Sequence, residues 1–230
     1  MKAMIASDLL MLKKSMVQSA VLLAIAVLAI SLMTGGSPLT LLYVTPIIAF
    51  IALQYFQQEA GKAGWEQSRL AMPLSRGQVI TGRYASLAIV VAASTVLGAM
   101  ICLAAGGVLV AIPAFAQFAI HPLPADAPTF ALVFGGVIGS TLILLGLLLP
   151  FVAHFGAVDG MRYAPGLVLS AVMLGYFGLF SSGILQNGTL PLPDSFAAAL
   201  VLSLGLLAMG ATFYLASATI AIRLYNKRDF

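Results

Sequence analysis

The sequence predicts an all-α integral membrane protein with six transmembrane helices. Of its 230 residues, 61% are hydrophobic and only 8% are charged, whereas charged residues make up about a quarter of a water-soluble domain. The mean hydropathy of +1.08 agrees with this composition. The apolar residues form continuous blocks of roughly 18 residues or more, which is the length of a membrane-spanning helix and not of the ~10-residue alternating strands of an outer-membrane barrel.

The chain divides into six apolar blocks within one transmembrane domain, 1–230. A short interfacial helix is predicted before them, in residues 1–14. We expect the first span to be retained, because 34–38 has no Ala-x-Ala cleavage pattern and another apolar block follows at once. The third span is longer than a ~30 Å hydrocarbon core requires, so its first turns are expected to project beyond the bilayer. The predicted spans are 15–33, 39–56, 79–112, 129–152, 164–185 and 196–222.

The basic residues give the predicted orientation. With six spans, every Lys and Arg falls on the side of the N-terminus, namely Lys2, Lys13, Lys14, Lys62, Arg69, Arg76, Arg83, Arg162, Arg223, Lys227 and Arg228. Because basic residues concentrate in cytoplasmic loops, both termini are predicted to be cytoplasmic, in a multi-pass protein of the plasma or inner membrane. The polar stretch 57–84 and a short polar loop at 154–163 are then the two cytoplasmic connections.

The pattern disfavours several function classes. No Asp, Glu, Lys, Arg or His lies well inside any predicted span, and ion-coupled carriers usually need such groups at membrane depth. His121 and His154 fall on opposite sides of the membrane and Cys102 is the only Cys, so neither a metal site nor a hydrolytic triad is expected. Gly61-Lys62 is followed by Ala63 and lacks the spacing of a phosphate-binding loop. We therefore expect no catalytic, cofactor-binding or metal-binding residue in this chain.

The polar stretch 57–84 is the candidate functional segment. Four of its charges are spaced by three and four residues, so a helix would present them as one ribbon of alternating sign: Glu59, Lys62, Glu66 and Arg69. Trp65 suits either the headgroup region or a pocket on a partner. Pro73 is expected to end this helix, because the residue before a proline is pushed toward extended geometry.

A helix start is predicted directly after that proline. Ser75 and Gln78 have the spacing of a capping box, in which each side chain satisfies a backbone N–H group of the other residue. The helix that contains the third span is therefore expected to begin at Arg76. Arg83 and Tyr84 are expected to anchor the protein at the cytoplasmic interface.

Small residues at four-residue spacing let helices approach closely. Such pairs occur at Gly135 and Gly139 in the fourth predicted span, and at Gly178 and Ser182 in the fifth. The simpler interpretation is packing within one subunit, and the alternative is a dimer face.

Two short motifs resemble the small, six-span ABC-2 type exporter permeases. Glu66 and Trp65 precede the turn Met72-Pro73-Leu74-Ser75-Arg76, which is similar to the Leu-Pro-Val-Ser-Arg-like turn of that family, and the pair Arg83-Tyr84 follows it. The second cytoplasmic connection agrees, because Pro150-Phe151 precedes HFGAVDGMRY where the family has a proline, an aromatic-Gly pair and an acidic-basic pattern.

This chain departs from the family pattern at two places. Met72 replaces the commoner Leu, and Ala157-Val158-Asp159 is less charged than the usual segment. The resemblance covers essentially the whole chain in topology.

The resemblance implies a permease subunit that works as a homodimer, or with a related permease, and docks on a separate ATP-binding cassette ATPase. The first cytoplasmic loop would be a coupling helix seated on that ATPase, with ATP and Mg bound by the partner and an amphipathic or hydrophobic cargo such as a peptide, lipid or drug. The implied contacts are Glu59, Lys62, Trp65, Glu66, Arg69, Pro73, Ser75 and Arg76, followed by Phe155, Gly156, Asp159 and Arg162.

Two other function classes stay open. A channel or carrier not driven by ATP would work without an ATPase partner. A membrane anchor or assembly subunit would tolerate changes on the inner surface of its spans.

Overall fold

The computed structural model describes the backbone at 39–60, 75–112, 126–181 and 195–226, together with Ile5, Asp8, Ile25, Leu28 and Ala29. Side chains at 57–60 and 156–181 and at a few positions elsewhere lie outside the description. The described residues form four helices and no strand: α1 (Leu39–Ala60), α2 (Arg76–Ala111), α3 (Ala127–Ser181) and α4 (Phe196–Asn226).

The all-α prediction is confirmed for the described residues. Three stretches are long and apolar enough to cross a membrane, at Gly77–Val108, Ala127–Phe155 and Phe196–Asn226, and α1 contributes a shorter apolar stretch, Val44–Phe56. Helices α1 and α4 contain the predicted second and sixth spans, and α2 covers 79–111 of the predicted third span. Most of the first predicted span lies outside the described residues.

The stretch 154–163 is helical, which corrects the predicted polar loop. Helix α3 continues through it and joins the fourth and fifth predicted spans. Polar composition disfavours lipid contact, but it does not end a helix, which usually requires a proline or a capping residue. The strongest helix breakers inside the stretch are Gly156 and Gly160, each costing roughly 1 kcal/mol relative to Ala, and Pro165 comes only after it.

Polar side chains cap the starts of α3 and α4. Asp126 accepts a hydrogen bond from the backbone N–H of Thr129 (3.1 Å) at the start of α3, and Ser195 does the same for Ala198 (3.2 Å) at the start of α4. Hydrogen bonds from the side chain and the backbone of Thr129 lower the pKa of Asp126. Both caps occupy the position before the first helical residue, where Ser and Asp are preferred.

Helices α3 and α4 pack side by side in the same direction. Gly135 faces Ser203, Gly139 faces Leu206 and Gly210, and Gly146 faces Phe213 and Ser217, so the contacts advance together along both helices. Helix α2 runs opposite to α4, because Gly77 faces Ile222 whereas Tyr84 contacts Ser217 and Tyr214.

These directions define two ends of the bundle. The Ser75 end holds the start of α2, residue 155 of α3 and the end of α4. The Asp126 end holds Asp126, Ser195 and the end of α2. Three Arg residues lie toward the Ser75 end of the bundle. They are Arg76 and Arg83 of α2 and Arg223 of α4.

The parallel packing requires α3 to bend. A straight helix of 55 residues would be about 80 Å long. Ser195 lies at the Asp126 end, and the chain between Ser181 and Ser195 can reach at most about 50 Å. Helix α3 follows α4 as far as Ala153, which lines one small cavity with Tyr225, so the bend lies between 154 and 181.

The core lies where all four helices meet. It contains Leu53 and Phe56 of α1, Leu87 and Val91 of α2, Leu145 and Leu149 of α3, and Tyr214 and Ala221 of α4. Cys102 is fully buried in a smaller cluster with Leu41 and Val137. Burying these side chains between helices fixes the relative positions of the segments that carry the polar groups described next.

Candidate functional site: a buried polar junction

The capping box predicted at the start of α2 is confirmed. The backbone N–H of Gln78 donates to Ser75 Oγ (3.2 Å), and the backbone N–H of Ser75 donates to Gln78 Oε1 (3.1 Å). The two bonds satisfy donors that a helix start leaves without partners. The cap fixes the point at which the polar stretch 57–84 joins the transmembrane part of α2.

A chain of hydroxyl groups joins α2, α4 and α3 about two turns further on. Tyr84 Oη and Ser217 Oγ are 2.9 Å apart, and Ser217 Oγ donates to the carbonyl oxygen of Gly146. A serine hydroxyl has a single proton to donate. Since Ser217 uses its proton on Gly146, the phenol of Tyr84 is the donor in the bond to Ser217.

A second tyrosine closes the arrangement. Tyr214 Oη donates to the backbone carbonyl oxygen of Tyr84 at 2.9 Å, and the two rings lie 4.8 Å apart at an angle of 48°. Tyr84 and Tyr214 are each 5% exposed and Ser217 is 4% exposed. We call Tyr84, Gly146, Tyr214 and Ser217 the polar junction.

Gly146 lets α3 come close enough for this contact. A Cβ atom at Gly146 would lie 3.0 Å from the ring of Phe213 and 3.5 Å from Ser217 Cβ. The ring of Phe213, which is 40% exposed, would have to shift by a few tenths of an ångström to admit that atom. A glycine opposite Ser217 avoids this contact.

Buried charged side chains lie beside the junction. Arg83 is 9% exposed and lines a cavity of about 20 Å³ with Tyr84, Leu149 and Tyr225. Asp8 is fully buried, and its Oδ2 lies 3.5 Å from Ser86 Oγ, which also bonds the carbonyl of Gly82 at 3.0 Å. Arg83 and Ser86 share one face of α2 because they are three residues apart, so a carboxylate and a guanidinium approach the same turn of α2.

This burial adds to two expectations. Asp8 was expected on an interfacial helix; it is helical, and its side chain is buried against Ser86 of α2. Arg83 and Tyr84 were expected to anchor the interface. Their side chains face neighbouring helices rather than lipid, and their depth in the bilayer stays a prediction.

The remaining predicted contact residues are described only in part. Lys62, Trp65, Glu66, Arg69 and Pro73 lie outside the described residues. Backbone alone is described, as helix, at Glu59, Arg76, Gly156, Asp159 and Arg162.

Phe155 is the described member of the second predicted contact. It is 44% exposed at the Ser75 end, where its ring lies 6.3 Å from that of Phe151 and 4.7 Å from that of His154. The structure therefore brings Ser75 and Phe155 to the same end of the bundle.

The roles of Asp8, Ser86, Tyr214 and Ser217 are not predicted by the sequence pattern. A signal was present, because hydroxyl side chains inside apolar spans often bond across helices. Most hydroxyls in these spans, such as Thr212 and Thr219, instead bond a carbonyl of their own helix. Only the packing of the helices separates the two cases.

Among the described residues, no group of three or more His, Cys, Asp or Glu could hold a metal ion. Each described hydroxyl of the junction takes part in a hydrogen bond to another helix, so the junction joins α2, α3 and α4.

The helices and this junction define a membrane protein built from apolar helices. A family model described as ABC-2 family transporter protein matches residues 3–226, nearly the whole chain. The chain belongs to this family, which confirms the resemblance seen in its motifs. No curated protein and no solved structure matches the chain.

Proposed function

We propose that this chain is the transmembrane permease subunit of an ATP-binding cassette exporter, moving an amphipathic or hydrophobic cargo with ATP hydrolysed by a separate subunit. The observation that carries the proposal is the family match over residues 3–226. The chain contains no phosphate-binding loop, so ATP and Mg would be bound by the partner. The subunit would work in the plasma or inner membrane as a homodimer or with a related permease.

A six-span topology with cytoplasmic termini completes the proposal. The parallel packing of α3 and α4 supports it, because the chain must return to the Asp126 end between 154 and 195, and a fifth span at 164–185 would do so. With that return, Arg162 and Arg223 both face the cytoplasm with the other basic residues, as the positive-inside rule requires. If α3 crossed the membrane only once without a return, α4 would begin on the cytoplasmic side, and Arg223 near its end would lie on the opposite side from Arg162.

The polar junction supports a route for coupling. In the proposed mechanism, ATP-driven closure of the partner subunits moves the segment that contains Glu66 and Arg69, and the capped start of α2 follows it. Tyr84 lies about 12 Å along α2 from that start. Its bond to Ser217, and the bond from Ser217 to Gly146, would carry the displacement into α4 and α3 together.

The test is ATPase coupling. We would isolate the chain from its native membrane, identify the ATP-binding cassette subunit that accompanies it, and reconstitute the two in vesicles. We expect the ATPase activity of that subunit to depend on the chain, and Glu66→Ala with Arg69→Ala to abolish this dependence. Gln67→Ala with Ser68→Ala, on the same segment but uncharged, is the matched control.

Two results would contradict parts of the proposal. The first concerns the contact residues, and the second concerns the function class. An unchanged ATPase activity and complex formation with the charge variants would remove Glu66 and Arg69 from the contact. Cargo movement without any ATPase would favour a channel or carrier.

A further inference from the structure

Between residues 79 and 88, helix α2 is covered on every side. None of these residues is exposed, whereas exposed side chains recur from Ile89 onward, among them Val96 and Met100. The polar junction covers the side of α2 that carries Tyr84. Ser86 is two residues further along and therefore about 200° around the helix, so it faces nearly the opposite way, and it is fully buried. A segment outside the junction therefore covers that side.

Asp8 is a described side chain that meets this side of α2. Its Oδ2 lies 3.5 Å from Ser86 Oγ, and the residue has no exposed surface. Ile5 is helical, as Asp8 is, and it is half-buried. Residues three apart on a helix share one face, so Ile5 and Asp8 both turn toward the bundle.

The charged side chains that are buried in the described part of the chain are Asp8 and Arg83, and their charges are opposite. By contrast, Asp126 is exposed at the other end of the bundle, and Arg223 is exposed on α4. Arg83 and Ser86 are three residues apart on α2, so their Cβ atoms are about 5–6 Å apart. The long side chain of an arginine spans this distance. The carboxylate beside Ser86 is therefore within reach of the Arg83 guanidinium group.

Burial favours the pairing of these two charges. An ionised carboxylate is costly to bury alone, and ionisable groups inside membrane-spanning bundles pair with one another. The contact from Ser86 Oγ to Asp8 is long for a hydrogen bond, whereas the same hydroxyl lies 3.0 Å from the carbonyl oxygen of Gly82. A serine hydroxyl has one proton to donate, so Ser86 contributes little to stabilising the carboxylate. A guanidinium group stabilises it far better.

We propose that Asp8 and Arg83 form a buried ion pair, which holds the N-terminal segment containing Asp8 against α2 on the side opposite the polar junction. Asp8 is then a positioning residue. Acting through Arg83, it keeps the first turns of α2 in place, so that Tyr84 meets its partners on α3 and α4. The role of Asp8 in coupling rests on the proposed function, whereas the ion pair does not depend on an ATPase partner.

A double-mutant cycle on the full-length chain tests the ion pair. Asp8→Asn and Arg83→Gln each leave one buried charge without its counter-ion, so each should raise the unfolding equilibrium constant about tenfold, which corresponds to about 1.4 kcal/mol. The two substitutions together should also cost about tenfold, and not the roughly hundredfold expected of independent changes. Unfolding titrations with sodium dodecyl sulfate in mixed micelles measure these constants.

Asp126→Asn is the matched control for this cycle. It makes the same chemical change at the other end of the bundle, where Asp126 is exposed and caps α3. Sites that are far apart and share no partner are additive. The cost of Asp126→Asn combined with Arg83→Gln should therefore equal the sum of the two separate costs.

Exchange of the two charges tests the pair even where a single variant does not fold. Arg83→Glu places two carboxylates together and should prevent folding. Adding Asp8→Lys to that variant should restore the folded fraction, because it recreates an ion pair with the charges exchanged. Circular dichroism measures the folded fraction. A lack of restoration would overturn the pair.

ATPase activity tests the positioning role. In vesicles that also contain the ATP-binding cassette subunit, Asp8→Asn should lower the maximal chain-dependent ATPase rate several-fold. The KM for ATP should stay unchanged, because ATP is bound by the partner in the proposed function. Asp8→Glu keeps the charge and should restore most of the rate. If the wild-type chain stimulates no ATPase, the proposed function fails, and the double-mutant cycle still decides the ion pair.

Three further outcomes would overturn the proposal. Additive costs of Asp8→Asn and Arg83→Gln would show that the two side chains do not interact. An Asp8→Asn protein as stable as the wild type would show that the buried carboxyl group is neutral and forms no ion pair. A less stable Asp8→Asn protein that stimulates the ATPase as the wild type does would exclude the positioning role.

Discussion

At the scale of residues, hydroxyl groups that bridge helices differ in role from those that bond their own helix. Ser217 lies between a donor on α2 and an acceptor on α3, so it links three helices through one atom. Thr212, on the same helix, donates only to the carbonyl of Met209 as far as the described contacts go. The same residue chemistry therefore stabilises either a helix or a tertiary contact, depending on the face it occupies.

Tyr84→Phe removes the phenol that donates to Ser217 and keeps the ring. We expect the free energy of unfolding to fall by about 0.5 to 1.5 kcal/mol, since Ser217 keeps its bond to Gly146 and bonds between membrane helices average about 0.6 kcal/mol. Tyr214→Phe, which loses the bond to the Tyr84 carbonyl, should have a similar cost. Unfolding titrations with sodium dodecyl sulfate in mixed micelles measure both.

Thr212→Val is the control for these variants, because its exposed hydroxyl bonds the backbone of its own helix. It should change the free energy of unfolding by less than either tyrosine variant. An equal cost for all three would show that the junction contributes no specific stability.

At the scale of elements, glycines set the distance between α3 and α4. A Cβ atom at Gly135 would lie 2.6 Å from the Ser203 carbonyl oxygen, and one at Gly139 would lie 2.9 Å from the Leu206 carbonyl carbon. Backbone atoms cannot move aside as a flexible side chain can. The pair Gly135 and Gly139 therefore packs within one subunit, and the alternative of a dimer face is wrong for these two residues.

Gly139→Ala should separate α3 from α4 and destabilise the protein by about 1 to 3 kcal/mol, the usual range for overpacking. Gly136→Ala, next to the seam, meets only the side chain of Leu206 at 3.5 Å. Gly205→Ala has no heavy atom within 4 Å. Both should be neutral or slightly stabilising, because Ala is the better helix former by about 1 kcal/mol.

The same unfolding titrations compare the three glycine variants. A Gly139→Ala protein as stable as Gly136→Ala would mean that the seam is looser than the structure has it. If Gly139→Ala separates α3 from α4, it should also weaken the hydrogen bond from Ser217 to Gly146, because both residues lie on the same seam.

At the scale of the whole molecule, the bundle has two chemically different ends. Arg76, Arg83 and Arg223 lie toward the Ser75 end, whereas Asp126 caps α3 at the other. The positions of these residues follow from the directions in which the helices pack. They do not depend on the positive-inside rule. The proposed cytoplasmic side of the protein is therefore the Ser75 end.

Single cysteines test this assignment. In a Cys102→Ala background, Phe155→Cys at the Ser75 end and Phe196→Cys at the Asp126 end form a matched pair, since both side chains are exposed and lie at opposite ends of the bundle. We expect a membrane-impermeant maleimide to label Phe196→Cys in right-side-out vesicles and Phe155→Cys only in inverted vesicles. Labelling of both from one side would contradict the parallel packing of α3 and α4.

The sequence by itself determined the fold class, the start of α2 and the membership of a transporter family. These follow from local signals: continuous apolar blocks force helices in a bilayer, Ser75 and Gln78 satisfy each other within one turn, and short motifs keep their spacing along the chain. The polar stretch 154–163 misled the prediction, because polarity reports on solvent contact and not on helix termination.

The tertiary structure alone decided which polar side chains meet. Tyr84 and Ser217 are 133 residues apart, and Asp8 reaches Ser86 from a segment expected at the interface. Hydropathy patterns cannot rank such contacts, since inside a bilayer both lipid and a neighbouring helix present apolar surface and only close packing and hydrogen bonds distinguish them. The seam at Gly135 and Gly139 and the bend of α3 depend in the same way on how the helices pack.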